Sequence, residues 1–292
     1  YVKIPEVSEK ELPQRINSEA EAFIPFDINE VYLSYYVLNP SLSEEGQKKT
    51  EIVLCAAKKE IIDERIEILK MAGLVPVLID IDSFALENLL NVMEPEPENS
   101  NTAIMIVNIG HKVSNLSVLA GNNQLINENS ALKKEYYSRL VRDIFVAGFS
   151  ITRNFVKKMS LDEERAEEFK KAIRILADDE DKIRAIKDYD VDMVKGSKII
   201  TAVVKEIISD ITRSVDFLSS TLPDLNINKV YICGGGSSIV GTDKYIEKEL
   251  KIPVSYLDPF SCVANPPSGV GNYVRYSLAV AFGLSLRSIK SL

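Results

Sequence analysis

The sequence predicts an α/β protein with a small α+β module near its start and a larger nucleotide-binding part behind it. The first observation is an apolar stretch at residues 229–233 that runs directly into Gly234, Gly235 and Gly236, followed by a helical pattern. Glycines at such a strand-to-helix turn let the backbone approach a ligand closely. The second observation is a charged, proline-rich stretch at residues 94–99, which cannot continue a helix and separates the two parts.

The module before the proline-rich stretch alternates helical and strand patterns. Ser8 and Glu11 form the sequence pattern of a capping box at the start of a helix. The polar, glycine-containing residues 39–50 predict a long loop between two strands, and Gly73 closes a second helix. The predicted elements are a helix at residues 8–23, strands at 31–38 and 52–57, a helix at 58–72 and a strand at 75–81.

The larger part begins with strands joined by turns. The polar turn at residues 108–115 links two apolar runs, and Gly121, Asn122 and Asn123 give a clear hairpin signal after the second run. The polar and charged residues 127–140 indicate no particular element or role. The predicted elements here are a helix at residues 82–92, strands at 103–107 and 116–119, and the start of a third strand at 124–126.

From residue 149 onward the pattern becomes mostly helical. Ser160 and Glu163 predict a capping box that opens an acidic helix ending near residue 176. Residues 198–222 predict a long amphipathic helix with a regular apolar side. Its polar side carries Glu206, Asp210 and Arg213, which either hold a nucleoside or form a surface ion pair.

Composition excludes several classes of function. The net charge of −8 and the pI near 5.0, without a basic stretch, argue against binding of nucleic acid or of an anionic membrane surface. Three separated cysteines and a single histidine support neither a zinc site nor a disulfide framework, as in a protein of the reducing cytoplasm. The apolar stretch at residues 276–286 is too short to span a bilayer. The abrupt, strand-like start without methionine predicts that the true start precedes Tyr1.

Two glycine turns are the candidate ligand-binding elements. The helix that follows residues 234–238 offers unpaired N–H groups to an anion, although a tight bend alone explains the glycines equally well. Upstream, a buried stretch ends in Asn108 and Gly110, and such a turn either wraps phosphates with backbone N–H groups or is an ordinary hairpin. The order of the two turns along the chain, with the long helix between them, favours binding.

In this order of elements the sequence resembles the superfamily of actin, sugar kinases and Hsp70. Members share a second phosphate loop, a helix that contacts the nucleoside, a Gly-Gly-Gly adenosine turn and a closing helix. Within that superfamily the sequence resembles the PilM family of type IV pilus assembly proteins, relatives of the cell-division actin FtsA, over nearly the whole chain. The most specific stretches are SEAEAFIPF at 18–26, AAKKE at 56–60, VLIDIDSFAL at 77–86 and RSVDF at 213–217.

The resemblance implies an actin-like, RNase H-like architecture with an inserted small α+β subdomain, called 1C in this family. Residues 1–75 would form that subdomain, and residues 76–100 the remainder of the first large subdomain with a linker. Residues 101–276 would form the second large, nucleotide-binding half with its smaller lobe, and residues 277–292 a packing helix. The first phosphate loop of such proteins, an Asp-x-Gly hairpin, is expected before Tyr1.

The resemblance also implies ATP or ADP as cofactor, with Mg²⁺ as a candidate metal. It assigns nucleotide-binding roles to three groups of residues in this sequence. The phosphate-loop candidates are Asn108, Gly110, Lys112, Ser114 and Asn115. The adenosine-turn candidates are Gly234, Gly235, Gly236, Ser237 and Ser238. The nucleoside candidates on the long helix are Glu206, Asp210 and Arg213.

For function, the resemblance implies a scaffold or switch in type IV pilus assembly. Such a protein is cytoplasmic, lies peripheral to the inner membrane, and docks on the cytoplasmic tail of the membrane protein PilN. Through PilN it would pass its nucleotide state to the inner-membrane platform and the pilus motors, and self-association is a further expectation. The family loop normally begins with an aspartate that holds the Mg²⁺ shell, whereas this sequence has Asn108, so we expect at most slow hydrolysis.

Other assignments remain open at the level of the sequence. Lys112 either contacts phosphate or is an exposed turn lysine, and His111 has no partner that suggests catalysis. An FtsA-like filament-forming divisome protein would carry a C-terminal amphipathic membrane helix, and this sequence ends at residues 288–292 without one unless truncation removed it. A sugar-kinase-type phosphotransferase would need a catalytic aspartate with sugar-binding residues around it, and the sequence suggests none.

Overall fold

The computed structural model describes residues 1–8, 10–44, 46–94, 97, 99, 101–121, 135–176, 179–187 and 191–287. The chain divides into two units, unit 1 at Tyr1–Ile79 and unit 2 at Asp80–Leu292. Within the described ranges, no helix is long and apolar enough to cross a membrane. The hairpin tip predicted at residues 122–123, the strand start predicted at 124–126 and residues 127–134 lie outside the described residues, as do Pro95, Glu96 and Glu98.

Unit 1 is a three-stranded antiparallel sheet with a helix packed on it. The strand order is β1-β3-β2, and helix α1 contributes Leu12 and Ile16 to a small core with Val2, Ile4 and Ile52. Leucine and isoleucine four residues apart on a helix share one face, which explains why the predicted helix packs as it does. The elements are β1 (Val2–Pro5), α1 (Leu12–Ala20), β2 (Val31–Glu44), β3 (Gln47–Lys58) and α2 (Lys59–Met71).

Three sequence predictions for unit 1 are wrong. Residues 39–50 form the ends of β2 and β3 in place of a long loop, because the ladder is held by backbone N–H and C=O groups, which polar residues also carry. Residues 75–81 have no regular secondary structure, and no described strand pairs with them, although Val75, Val77 and Ile79 keep the alternation of a strand. Helix α1 has no side-chain cap, since Ser8 Oγ donates to the Glu11 carboxylate, 2.7 Å away.

Unit 2 is a five-stranded mixed sheet covered by helices on both faces. The strand order is β6-β5-β4-β7-β8, in which β4, β7 and β8 are parallel, β5 is antiparallel to β4, and β6 is antiparallel to β5. The sheet elements are β4 (Thr102–Ile109), β5 (Ser114–Gly121), β6 (Tyr136–Ile144), β7 (Asn226–Cys233) and β8 (Val254–Tyr256). The helices are α3 (Asp82–Met93), α4 (Gly148–Met159), α5 (Glu163–Ala172), α6 (Asp179–Lys187), α7 (Val191–Thr221), α8 (Thr242–Leu250), α9 (Asn272–Ser277) and α10 (Ala279–Ser285).

Central strand β4 sends alternate side chains into two cores. Met105 and Val107 pack into the cluster that includes side chains of α4, α5, α7 and α8, whereas Ile104 and Ile106 pack into the cluster with α3 and α10. A strand that is buried on both faces reads as a continuous apolar run, which is the pattern that predicts β4 and β7 from the sequence. The two cores therefore hold the sheet in place, together with the loops at the ends of its strands.

Two helix predictions in unit 2 need correction. Helix α5 is capped by Asp162, which accepts the N–H of Arg165 at 2.8 Å, and Ser160 instead ends α4 in the left-handed region at φ 57°. Asp162 stands at the N-cap position, from which a side-chain oxygen reaches the free N–H groups of the first turn, whereas Ser160 lies two residues too early. Within the range 277–292 predicted as a packing helix, the structure has the shorter helix α10, which a separate helix, α9, precedes; residues 288–292 lie outside the described residues.

Candidate functional site

The two glycine turns meet at one edge of the unit 2 sheet. Strands β4 and β7 are parallel neighbours, and Asn108 stands opposite Cys233 in their register. The phosphate-loop candidate follows β4 and the adenosine-turn candidate follows β7, so both leave the sheet at its carboxyl edge. In open α/β sheets, ligands bind outside the carboxyl ends of the strands. The sequence prediction that these two turns form one site is therefore consistent with their positions.

The two turns are in direct contact, and glycine is required for that contact. Gly234 has φ +84°, and a Cβ placed on it would lie 2.4 Å from Asn108 Oδ1 and 2.4 Å from the carbonyl oxygen of Ile109. A Cβ on Gly236 would lie 2.5 Å from Ile109 Cγ2. Because any larger residue would push the turns apart, Gly234 and Gly236 serve close backbone approach as well as a bend. After the turn the chain forms a short 3₁₀ segment, Gly235–Ser238, before α8 begins.

The first loop, residues 110–113, also caps helix α4. The carbonyl oxygens of Gly110 and His111 accept the N–H groups of Gly148 and Phe149, at 3.1 and 2.7 Å. The N–H of Gly110 is bound to the carbonyl oxygen of Val113, whereas the described residues offer no acceptor for the N–H groups of His111 and Lys112. Consecutive free N–H groups in a turn are the donors that anion-binding loops use.

Next to this loop, the side chains of Asn108, Asn115 and Asp143 form a chain of hydrogen bonds, which we call the polar ladder. Asn115 Nδ2 donates to Asp143 Oδ1 at 2.6 Å, and Asn108 Nδ2 donates to Asn115 Oδ1 at 3.2 Å. Asn108 is 7% exposed, so its amide is held largely within the protein. The hydroxyl of Ser114 is fully buried and donates to the Val146 carbonyl oxygen at 2.7 Å.

The remaining turn residues are held by bonds inside the turn. Ser237 Oγ donates to the carbonyl oxygen of Gly234 at 2.8 Å, and Ser238 Oγ donates to that of Gly235 at 2.7 Å. The N–H of Gly234 donates to the carbonyl oxygen of Tyr276 at 2.9 Å, which ties the turn to helix α9. Lys112, in the loop opposite, is exposed.

The three nucleoside candidates lie on helix α7, away from these bonds. Arg213 pairs with Asp210 along the helix, and Glu206 is exposed on the same polar side. Ser214 lies beside this ion pair and accepts from Arg142 of β6 at 3.1 Å. The described hydrogen bonds and ion pairs do not connect Glu206, Asp210 or Arg213 to either glycine turn.

A charged cluster that the sequence did not indicate lies beside the two turns. Lys170 is only 11% exposed, and its Nζ donates to Glu167 Oε1 at 2.6 Å, to Thr152 Oγ1 at 2.9 Å and to the Gly148 carbonyl oxygen at 3.3 Å. Burial alone would raise the pKa of Glu167, but the hydrogen bonds from Lys170 and Thr152 and the nearby positive charge lower it. The cluster fixes α5 to the first turn of α4, which the Gly110 loop caps.

The sequence missed this cluster because Lys170 follows Gly110 by sixty positions and lies in a helix of mixed charge. Nothing in a run of Glu and Lys residues indicates which of them is buried. The same holds for Tyr273 of α9, whose ring lies 2.9 Å from the position that a Cβ on Gly235 would occupy. Among the described residues, no group of three or more His, Cys, Asp or Glu side chains is placed to hold a metal ion.

Known protein structures share the fold of this chain. A chain of the PilM-PilN type IV pilus biogenesis complex is 25% identical, with a TM-score of 0.75 over 98% of this chain and 74% of that chain. MreB 5 of Spiroplasma citri bound to AMPPNP matches at 14% identity and a TM-score of 0.50, over 78% of this chain and 64% of that chain. The ADP-bound form of the same protein matches at 13% identity and a TM-score of 0.50, over 79% and 65%.

The mixed sheet, the paired glycine turns at its carboxyl edge and the similarity to MreB define a protein of the actin-like fold. The family model described as type IV pilus assembly protein PilM matches residues 3–289. The chain belongs to that family, which confirms the resemblance seen in the sequence.

Proposed function

We propose that this protein is a nucleotide-binding scaffold of type IV pilus assembly that docks on the cytoplasmic tail of the inner-membrane protein PilN. The observation that carries the nucleotide part is the contact between the Gly110 loop and the Gly234 turn at the carboxyl edge of the sheet. The family membership and the similarity to a chain of the PilM-PilN complex support the PilN part. In this role the protein is cytoplasmic and peripheral to the inner membrane.

The ligand of the site is ATP or ADP, with Mg²⁺ accompanying the phosphates. The phosphate residues are Asn108, Gly110, Lys112, Ser114 and Asn115, and the free backbone donors of this loop are the N–H groups of His111 and Lys112. The adenosine residues are Gly234, Gly235, Gly236, Ser237 and Ser238, with Glu206, Asp210 and Arg213 as the assigned nucleoside contacts. Gly234 and Gly236 keep the two turns together, because a Cβ at either position would meet atoms of Asn108 or Ile109 in the opposite loop.

Nucleotide acts here as a signal more than as a substrate. Asn108 occupies the loop position from which a carboxylate would orient water or the metal, and an amide does neither well. Its side chain is already engaged with Asn115. We therefore propose slow hydrolysis at most, with the nucleotide state passed through PilN to the pilus platform and motors, and with self-association of the scaffold as a further step.

The test is a calorimetric titration of full-length protein with ADP, with ATP and with a peptide of the PilN cytoplasmic tail. Gly236→Ala should abolish nucleotide binding, because the added Cβ would meet Ile109 Cγ2 at 2.5 Å and the Ile109 carbonyl oxygen at 2.9 Å. Gly271→Ala is the matched control, since no atom lies within 4 Å of a Cβ there. Circular dichroism checks that both variants fold.

The outcomes separate the two parts of the proposal. Absence of PilN-peptide binding with and without nucleotide would refute the scaffold role. Equal ADP affinity of the wild type and Gly236→Ala would refute the assigned site. Rapid, sugar-dependent turnover of ATP would instead favour a phosphotransferase.

A further inference from the structure

Tyr273 of helix α9 lies against the middle glycine of the adenosine turn. A Cβ on Gly235 would lie 2.9 Å from Tyr273 Cε2, 3.4 Å from its Cζ and 3.5 Å from its hydroxyl oxygen. Despite this contact the side chain is 50% exposed. A large aromatic ring therefore sits at the turn with part of its surface open to solvent, where a ligand bound at the turn can reach it.

A cation from another helix reaches the same ring. Lys171 Nζ of α5 lies 5.5 Å from the centroid of the Tyr273 ring, and Lys171 itself is exposed. At an exposed site such a cation–π contact is weak, so a ligand that stacks on the ring can replace it. The neighbouring Lys170 is tied to Glu167, Thr152 and Gly148, and it keeps α5 beside the glycine turns.

The other tyrosines of this region are already engaged. Tyr256 and Tyr276 stack on each other with centroids 4.2 Å apart and an angle of 7° between the rings. Tyr276 is buried, and the Tyr256 hydroxyl donates to Asp243 at 3.2 Å. Tyr273 differs from both, because its ring combines contact with the turn and an open face.

We propose that the Tyr273 ring is the stacking platform for the nucleobase, which takes the place of the Lys171 ammonium when nucleotide binds. The proposal rests on the proposed function, since it requires a nucleotide whose phosphates lie at the glycine turns. Stacking on an aromatic side chain strengthens binding of any base, because every base has a π face. Tyr273 therefore contributes affinity for the nucleoside, and it discriminates poorly between purines.

The experiment compares ADP and inorganic pyrophosphate by calorimetry on the full chain. Tyr273→Ala should weaken ADP binding about tenfold, the usual cost of losing one stacking partner. Tyr273→Phe keeps the ring and should stay within about twofold of the wild type. Pyrophosphate has no base, so its affinity should be the same for the wild type and Tyr273→Ala.

Phe217→Ala is the control for loss of an exposed aromatic ring elsewhere, since Phe217 lies on α7 and is 61% exposed. This variant should bind ADP as the wild type does. Wild-type ADP affinity in Tyr273→Ala would overturn the stacking role while leaving the proposed function intact. An equal loss of ADP and pyrophosphate in Tyr273→Ala would overturn it as well, because the effect would then be on the turn. A wild type that binds no ADP would overturn both proposals.

Discussion

At the scale of single residues, the polar ladder explains why asparagine stands at position 108. Asp143 accepts the Asn115 N–H at 2.6 Å, which fixes the orientation of the Asn115 amide and turns its oxygen toward Asn108. The residue at 108 must therefore donate a hydrogen bond. An amide does so, and a carboxylate does not.

We expect Asn108→Asp to lower the free energy of unfolding by about 1–3 kcal/mol, the cost of leaving buried acceptors unpaired. Urea denaturation at pH 7 measures the change. Asp143→Asn should reduce the penalty in the double variant, because Asn115 can then reverse its amide and donate to position 108. A penalty of the same size in both backgrounds would show that burial of the charge alone causes it.

Glu87 of α3 is a partly buried carboxylate with an elevated pKa. Burial raises the pKa of Glu87 above its ordinary value of 4.5, and hydrogen bonds from the Ser138 N–H at 2.9 Å and the Ser138 hydroxyl at 2.6 Å offset this in part. The folded state therefore holds the Glu87 proton more tightly than the unfolded chain does. The contribution of Glu87 to stability is largest below its unfolded pKa and falls as pH rises from there through the folded pKa.

Glu87→Gln should remove this dependence, because a glutamine oxygen still accepts from Ser138 and carries no charge. We expect the variant to gain stability relative to the wild type as pH rises from 4 to 8, by at most about 1.4 kcal/mol per pH unit. Urea denaturation at several pH values gives the difference. A difference that is constant across this range would mean that the pKa of Glu87 is the same in the folded and unfolded states.

At the scale of elements, the crossing of α3 and α10 depends on a glycine. A Cβ on Gly283 would lie 1.9 Å from the carbonyl oxygen of Ala85 and 2.5 Å from its carbonyl carbon. Backbone atoms cannot move aside as a flexible side chain can, so the helices would have to separate. This crossing covers one face of the sheet with Leu86, Leu89 and Leu90 of α3 and Ala279 of α10.

Gly283→Ala should therefore destabilise unit 2 by about 1–3 kcal/mol, the usual cost of overpacking a core. The drop in melting temperature measures the effect. Gly271→Ala, in which the added methyl group meets nothing within 4 Å, serves as the control and should melt as the wild type does. Equal melting temperatures for the two variants would mean that α3 and α10 cross at a greater distance.

The elements that could be predicted from the sequence are those whose signal is local. Strands β4 and β7 are buried on both faces and appear in the sequence as continuous apolar runs. The two turns can be recognised from their glycines. The prediction of a strand at residues 75–81 is wrong because alternating apolar residues indicate only a tendency to form a strand. A strand also needs a neighbouring strand with which to pair. Lys170 and Tyr273 reach the site through tertiary packing from distant parts of the chain, so no local pattern identifies them.

At the scale of the whole molecule, the two units have very different cores. Unit 1 relies on Val2, Ile4, Leu12, Ile16 and Ile52, whereas unit 2 has an extensive core on each face of its sheet. A small domain buries a lower fraction of its surface than a large one and is correspondingly less stable. Unit 1 should therefore open at a lower free energy than the central sheet of unit 2.

Amide hydrogen exchange under mild denaturant tests this order, since the amides of β3 should lose protection before those of β4. Ile16 is 1% exposed, so Ile16→Ala should lower the opening free energy of β3 by about 2–5 kcal/mol. Protection of β4 should stay unchanged. Ile61→Ala, at a half-exposed position of α2 in the same unit, is the control and should affect neither strand. If Ile16→Ala instead reduced the protection of β3 and β4 equally, the two units would unfold as one cooperative structure. A substitution in the core of unit 1 can lower the protection of a unit 2 strand only if the two units unfold together.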